Sequence, residues 1–324
     1  MILMQFTPRG LAAALILVLA AGASFAQGYP ARPIRLLTPV VPGGGLDFIA
    51  RVIAPALTEN LGKSVIVDNR PGASGAIAME ITARAAPDGH TIAIFSVSQV
   101  IYAELNKTSY DMFRDFAPVS QVAAAPYVLA VYPQLPANSV SELIAYARAN
   151  PGKLTYASSG VATLQQLATE LFASTAGIKL IHVPYKGVGA AFPDMIAGRT
   201  HMTISSVAAL AGLLRAKFLR PLAVTTVQRT VMLPEVPTMI EAGIRGFVVT
   251  QWHGILAPAG TPRPIVERLY QGIARGLRQP EVAARLAADG TEGVGSSPPQ
   301  FAAHMKTERE KWIRAIEQAA ITMQ

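Results

Sequence analysis

Cysteine is absent from the 324 residues. That excludes disulfides, thiolate metal sites, a cysteine nucleophile and a lipid-bearing N-terminal cysteine. Aromatic residues make up only 7% of the chain, and they do not interleave with its scattered lysines and arginines, so no nucleic-acid surface is indicated. After residue 26 no run of apolar residues is long enough to span a bilayer. Catalytic signatures are missing too: there is no G-x-S-x-G elbow, S-x-x-K, H-E-x-x-H or P-loop. The five histidines, His90, His182, His201, His253 and His304, do not fall at the i, i+4 spacing of a helical metal site. These absences predict a chain without cofactor or metal that is not an enzyme.

The first 26 residues set the compartment. Arg9 gives a positive start, Leu11 to Ala21 an apolar core too short for a comfortable span, and Ser24-Phe25-Ala26 a cleavage site of A-x-A type. An exported chain beginning near Gln27, soluble and not lipidated, is expected. The formal charge of +8 falls to +7 when Arg9 leaves with the signal, a balance that mildly attracts anions. About 300 mature residues suit two domains.

The stretch Thr38-Pro39-Val40-Val41-Pro42-Gly43-Gly44-Gly45-Leu46-Asp47 follows an apolar strand pattern and precedes an apolar-periodic helix (Phe48, Ile49, Val52, Ile53, Leu57). A glycine-rich turn between strand and helix aims backbone N–H groups and a positive helix end at an anion, here most simply a carboxylate. An ordinary turn that needs glycine for a positive φ would read the same way.

Short strands alternate with helices over most of the chain. Strands are expected at Ile34 to Leu37, Val65 to Val67, Thr91 to Phe95 and Val119 to Tyr132, then at Leu154 to Ala157, Leu180 to Val183, Met202 to Ser205 and Leu222 to Thr225. Ser139 with Glu142 marks a helix start, and Asn150-Pro151-Gly152 its end. Such strand–helix–strand units predict an α/β fold with mostly parallel sheets flanked by helices. The C-terminal helices have too few strands for a sheet of their own and should pack back on the first domain. That gives lobe 1 as residues 27–124 plus 250–324 and lobe 2 as 125–249, with crossings near 120–128 and 245–254. Ligands of such sheets bind outside the carboxyl ends of the strands. The glycine-rich loop and Ser158-Ser159-Gly160 lie at those ends, one in each lobe.

Six motifs occur together: Pro42-Gly43-Gly44-x-x-Asp47-x-x-Ala50-Arg51, Asp68-Asn69-Arg70-Pro71-Gly72-Ala73-x-Gly75, Pro87-Asp88-Gly89-x-Thr91, Tyr156-Ala157-Ser158-x-Gly160, His182-Val183-Pro184-Tyr185-Lys186-Gly187 and Ala257-Pro258-Ala259-Gly260-Thr261-Pro262. The set resembles the Bug family, the periplasmic solute receptors of tripartite tricarboxylate transporters. The resemblance implies a two-lobed periplasmic binding protein, type II-like, that closes over a small carboxylate or amino-acid-like ligand as a monomer. Its implied partners are the integral-membrane subunits of the transporter. It implies that Val41, Pro42, Gly43, Gly44, Gly45 and Asp47 hold a carboxylate through main-chain groups and ordered water. Ser158, Ser159, Gly160, Thr163, Pro184, Tyr185, Lys186 and Ser206 would complete the cage from lobe 2. Asp47 would hold a bridging water or accept from an ammonium, or act simply as an acid in the first helical turn, whereas Arg51 would pair with an acid of its own lobe.

Departures from the family pattern bear on the ligand. Gln166 stands where a histidine is common, His90 where a tyrosine is common, and Val40 where a phenylalanine is frequent. A sensor without a transporter is a second reading of the same chain. An exported hydrolase using Ser158 with a distant histidine is a third.

Overall fold

The computed structural model describes residues 28–161 and 163–319, so the signal-peptide reading lies outside the described residues. The stretch expected to open lobe 1 holds strand β1 (Ile34–Thr38), helix α1 (Gly45–Leu61), β2 (Val65–Asn69), α2 (Ala76–Ala83), β3 (Thr91–Ser96) and α3 (Val97–Leu105). The long strand β4 (Phe116–Val131) follows. After it come α4 (Val140–Ala149), β5 (Thr155–Ser158), α5 (Leu164–Ala176), β6 (Ile181–Pro184), α6 (Val188–Ile196), β7 (Met202–Ser206), α7 (Val207–Arg215) and β8 (Arg220–Val224), the stretch expected to form lobe 2. The chain returns through β9 (Thr250–Pro258) and continues into α8 (Arg263–Leu277), α9 (Pro280–Ala288), the short β10 (Glu292–Gly293) and α10 (Pro298–Ala319).

Strand β1 pairs in parallel with β2 and β3, and β5 pairs in parallel with β6 and β7, as right-handed βαβ units require. The crossing strands run the other way. β9 is antiparallel to β3 and β4, and β4 is antiparallel to β7 and β8. Along β4 the partner changes between adjacent residues: Pro126 lies opposite Thr250 of β9, and Tyr127 opposite Ser206 of β7. One strand therefore belongs to both lobes, and the sheets are mixed.

Helix α1 buries Leu46, Ile49, Val52, Ile53 and Leu57 against Ile265, Leu269 and Ile273 of α8. The spacing of these apolar residues is what the sequence shows of that face. The last helix reaches further than a return to lobe 1 requires. Phe301, Met305 and Trp312 of α10 share one core with Phe95 and Val100 of lobe 1 and with Leu167 and Phe172 of α5 in lobe 2. Among the described residues no helix is long and apolar enough to cross a membrane.

Helix α3 has no counterpart in the sequence-based expectations. Its β-branched Val97, Val100 and Ile101 prolong the apolar strand pattern of β3. The signal available was the pair Ser96 and Gln99, which form a capping box in the structure.

Candidate functional site

Four helices start at the carboxyl ends of strands and face one cleft: α1 after β1, α3 after β3, α5 after β5 and α7 after β7. Their N-caps are Gly44, Ser96, Thr163 and Ser206. Two belong to each lobe, so the positive ends of four helix dipoles converge from both sides. At α1 the first intrahelical bond is donated by Phe48 to the Gly44 carbonyl, which leaves the amides of Gly45, Leu46 and Asp47 without an intrahelical acceptor.

The cleft has two connected parts, of about 350 and 610 Å³. They share Ser74, Ser98, Tyr127, Gln165 and Gln251. The narrow part adds Ser159, Thr163 and Asn106; the wide part adds Gly45, Leu46, Ser96, Ser206, His253, Asp289 and Thr291. Among the described residues no lysine or arginine lines either part. The donors an anion meets there are hydroxyls, amides, the His253 ring and helix starts, with Asp289 the one acidic side chain in the lining among the described residues. Among the described residues no cluster of three His, Asp or Glu side chains could hold a metal.

Of the residues expected from the sequence, Gly45, Ser159, Thr163 and Ser206 line the cleft. Val41, Pro42 and Gly43 are exposed at the end of the loop, outside that lining. Gly43 takes a φ of +86°, the turn requirement, whereas a Cβ on Gly44 would lie 3.1 Å from Cγ2 of Val40, which lines the wide part. At Gly45 a Cβ would project into open space, so the absent side chain leaves room beside the helix start.

Asp47 does not face the cavity. It is only 2% exposed. Its oxygens accept from the Gly43 amide at 2.8 Å, Arg51 Nε at 2.8 Å and Asn69 Nδ2 at 2.8 Å. Asn69 also donates to the Val40 carbonyl, which ties both sides of the glycine loop to β2. These three donors engage the carboxylate within lobe 1 and hold the glycine loop in place. The bond from Arg51 is the main cause that lowers the Asp47 carboxyl from 3.8 to about 2. Because the folded value is depressed, the stabilisation is present above about pH 4 and fades as pH falls through about 2. Arg51 is half exposed, so solvent screens much of this pairing. Asp47→Ala is expected to lower thermal stability at pH 7 and to melt with the native protein near pH 2; an undiminished gap at low pH would contradict this role.

Ser158 is fully buried and donates its hydroxyl proton to the Gly160 carbonyl at 2.9 Å. His182 Nε2 lies 2.6 Å from the Ser158 Oγ, and which of the two donates is set by the imidazole tautomer. His182 stacks on Tyr156, whose hydroxyl donates to Glu170. Gly160, with a φ of +141°, turns the chain toward Thr163, whose hydroxyl also bonds the Gly160 carbonyl. Pro184, Tyr185 and Lys186 lie outside the cleft lining: the Tyr185 hydroxyl is committed to Asp194 and Lys186 is exposed.

Several lining residues are not evident in the sequence. Ser74 sits at a φ of +52° after Ala73 at +46°, and Gln99 Nε2 holds its carbonyl at 3.1 Å. Tyr127 donates to Gln251 Oε1 at 3.2 Å, which turns the Gln251 amide N–H₂ outward from that bond. Gln251 and His253 alternate with the buried Trp252 along β9. Polar residues on the face that carries Ile255 and Ala257 further along were the signal for a wet wall.

The model of the tripartite tricarboxylate transporter family receptor matches residues 49–321. The chain belongs to that family. A UPF0065 protein from the tcbD–tcbE intergenic region of Pseudomonas sp. strain P51 is 41% identical over 292 residues, 90% of this chain and 87% of that protein. BugT of Bordetella pertussis is 35% identical over 296 residues, 90% and 91% of the two chains. The solved structure of R. palustris Rpa4515 with adipate is 37% identical and covers 91% of this chain and 99% of its own, with a TM-score of 0.75. The Bug resemblance and the two-lobed periplasmic-binding-protein fold are thus established. The family consists of solute-binding receptors, not enzymes, and its receptors are periplasmic.

Proposed function

We propose that this receptor captures a small carboxylated solute between its lobes and delivers it to the membrane subunits of a tripartite tricarboxylate transporter. The observation that carries the reading is the convergence of four helix starts on a cleft that, among the described residues, no lysine or arginine lines. Fixed backbone dipoles and neutral donors favour a carboxylate without the cost of immobilising a long cation. Charge-assisted hydrogen bonds contribute on the order of 1.5–3 kcal/mol each, so three or four suffice for micromolar binding, about 8 kcal/mol. The adipate in the R. palustris relative supports the ligand class, and the family description supports the transporter as recipient.

The proposed lobe limits are residues 27–124 with 250–324, and 125–249; the change of partner along β4 supports the first crossing. Calorimetry with a series of mono- and dicarboxylates tests the reading. One-to-one binding with the solute recovered unchanged is expected, and the corresponding neutral amides should bind at least about tenfold more weakly. Equal affinity for acid and amide would overturn the carboxylate assignment.

A further inference from the structure

Where the two parts of the cleft meet, a side-chain hydrogen bond spans the crossing strands β4 and β9. Tyr127 stands on β4 at the first position paired with β7, opposite Ser206, the N-cap of α7. Gln251 stands on β9 opposite Ala125, also of β4. Both side chains belong to the lining that the narrow and the wide part share. The Tyr127 backbone is held in place: its carbonyl accepts from the Thr225 amide at 2.9 Å and from Thr225 Oγ1 at 3.1 Å.

Tyr127 is only 4% exposed, and its hydroxyl has one partner among the described residues, Gln251 Oε1 at 3.2 Å. Burial pushes the Tyr127 phenol pKa up, so the proton stays on the oxygen and has to be donated. With the Gln251 amide reversed, Nε2 would face the phenol and the O–H would be left without an acceptor. The carbonyl end of Gln251 is therefore fixed toward Tyr127, and the N–H₂ end away from it. That N–H₂ has no partner among the described residues, yet it is not sealed in the protein: Gln251 is half-buried, and Nε2 keeps access to solvent in the cleft that the residue lines.

We propose that Gln251 Nε2 donates to a carboxylate oxygen of the solute where the two parts meet, and that Tyr127 is the positioning residue that gives the amide this polarity. The inference rests on the carboxylate reading and adds a donor to the four helix starts. A reversed amide would present its carbonyl oxygen to the anion, so one phenol proton decides whether this point attracts or repels the solute. Accepting from Tyr127 also polarises the amide and strengthens its N–H₂ as a donor. Both residues are carried by paired strands, so the donor is oriented before the solute arrives.

Calorimetry on the whole receptor tests this with succinate, adipate and benzoate and with their neutral amides, succinamide, adipamide and benzamide. For the acid that binds most tightly, Gln251→Met, of similar length without a donor, should weaken binding about tenfold and lower the acid-to-amide affinity ratio with it. Tyr127→Phe should weaken the same acid about threefold or more, the cost of an amide free to turn. In the Gln251→Met background Tyr127→Phe should cost nothing further, because it acts only through the amide. An acid affinity unchanged by Gln251→Met would overturn the donor and leave the carboxylate reading standing. A Tyr127→Phe effect that is absent from the single variant, or that persists in full in the double variant, would overturn the positioning role. Failure of all three acids to bind the native receptor would overturn both readings.

Discussion

Replacement of Glu308 by leucine is expected to destabilise the receptor by about 3–5 kcal/mol, the range for removing one partner of a buried charged pair. Glu308 is 6% exposed and lies on α10. One of its oxygens accepts from both indoles, Trp252 Nε1 at 2.9 Å and Trp312 Nε1 at 3.0 Å; the other accepts from Lys311. Lys311 also donates to the Val248 carbonyl at 3.1 Å and lies over the Trp312 ring. Leucine leaves two indole N–H groups and an ammonium without their acceptor. Glutamine keeps one oxygen for the indoles and should cost less, on the order of 1–2 kcal/mol. Chemical denaturation followed by tryptophan fluorescence measures both. Equal, small losses for leucine and glutamine would show that the carboxylate does not hold α10 to β9.

Gly254→Ala is the second large effect. The added Cβ would sit 2.0 Å from Cζ of Phe301 and within 3 Å of two more of its ring atoms. Phe301 cannot swing away, because its ring is fully buried and packs against Phe95 and Trp252 at centroid distances of 6.0 and 5.9 Å. Overpacking of this kind costs about 3 kcal/mol, equivalent to a melting shift of roughly 6 °C or more for a chain of this size. A double-mutant cycle isolates the contact: Phe301→Ala alone should cost about 3–5 kcal/mol, and the pair should cost less than the sum. Strict additivity would mean that the clash is relieved elsewhere. Both substitutions act on β9 and on α10, which packs against it.

Much of the fold was legible because its local signals agree. The apolar stripe of α1, the Ser139 cap and the glycine and proline breaks each placed an element near its position in the structure. The role of α10 was harder to read. Trp312 looks like an apolar stripe on a surface helix until Glu308, four residues earlier, is seen between two tryptophans distant in sequence. The site was legible as loops and less so as side chains. Asp47 and Ser158 carry chemistry that suggests contact with a ligand, yet their partners Asn69 and His182 come from neighbouring strands, and only the folded register shows that these groups are already engaged. Gln251, His253 and Asp289 gave no motif because β9 and the loop after α9 meet the first four βα units only in the folded chain.

A lining in which no lysine or arginine stands among the described residues has a consequence for the response to salt. Added salt screens charges that stand in solvent, over about 8–10 Å at ordinary ionic strength, but acts weakly on dipoles sealed behind a closed cleft. For the proposed carboxylate, the positive charge of the chain, +7 without Arg9, would set how fast it arrives, and the helix starts how long it stays. Arrival therefore slows as electrolyte rises, and residence time holds nearly constant.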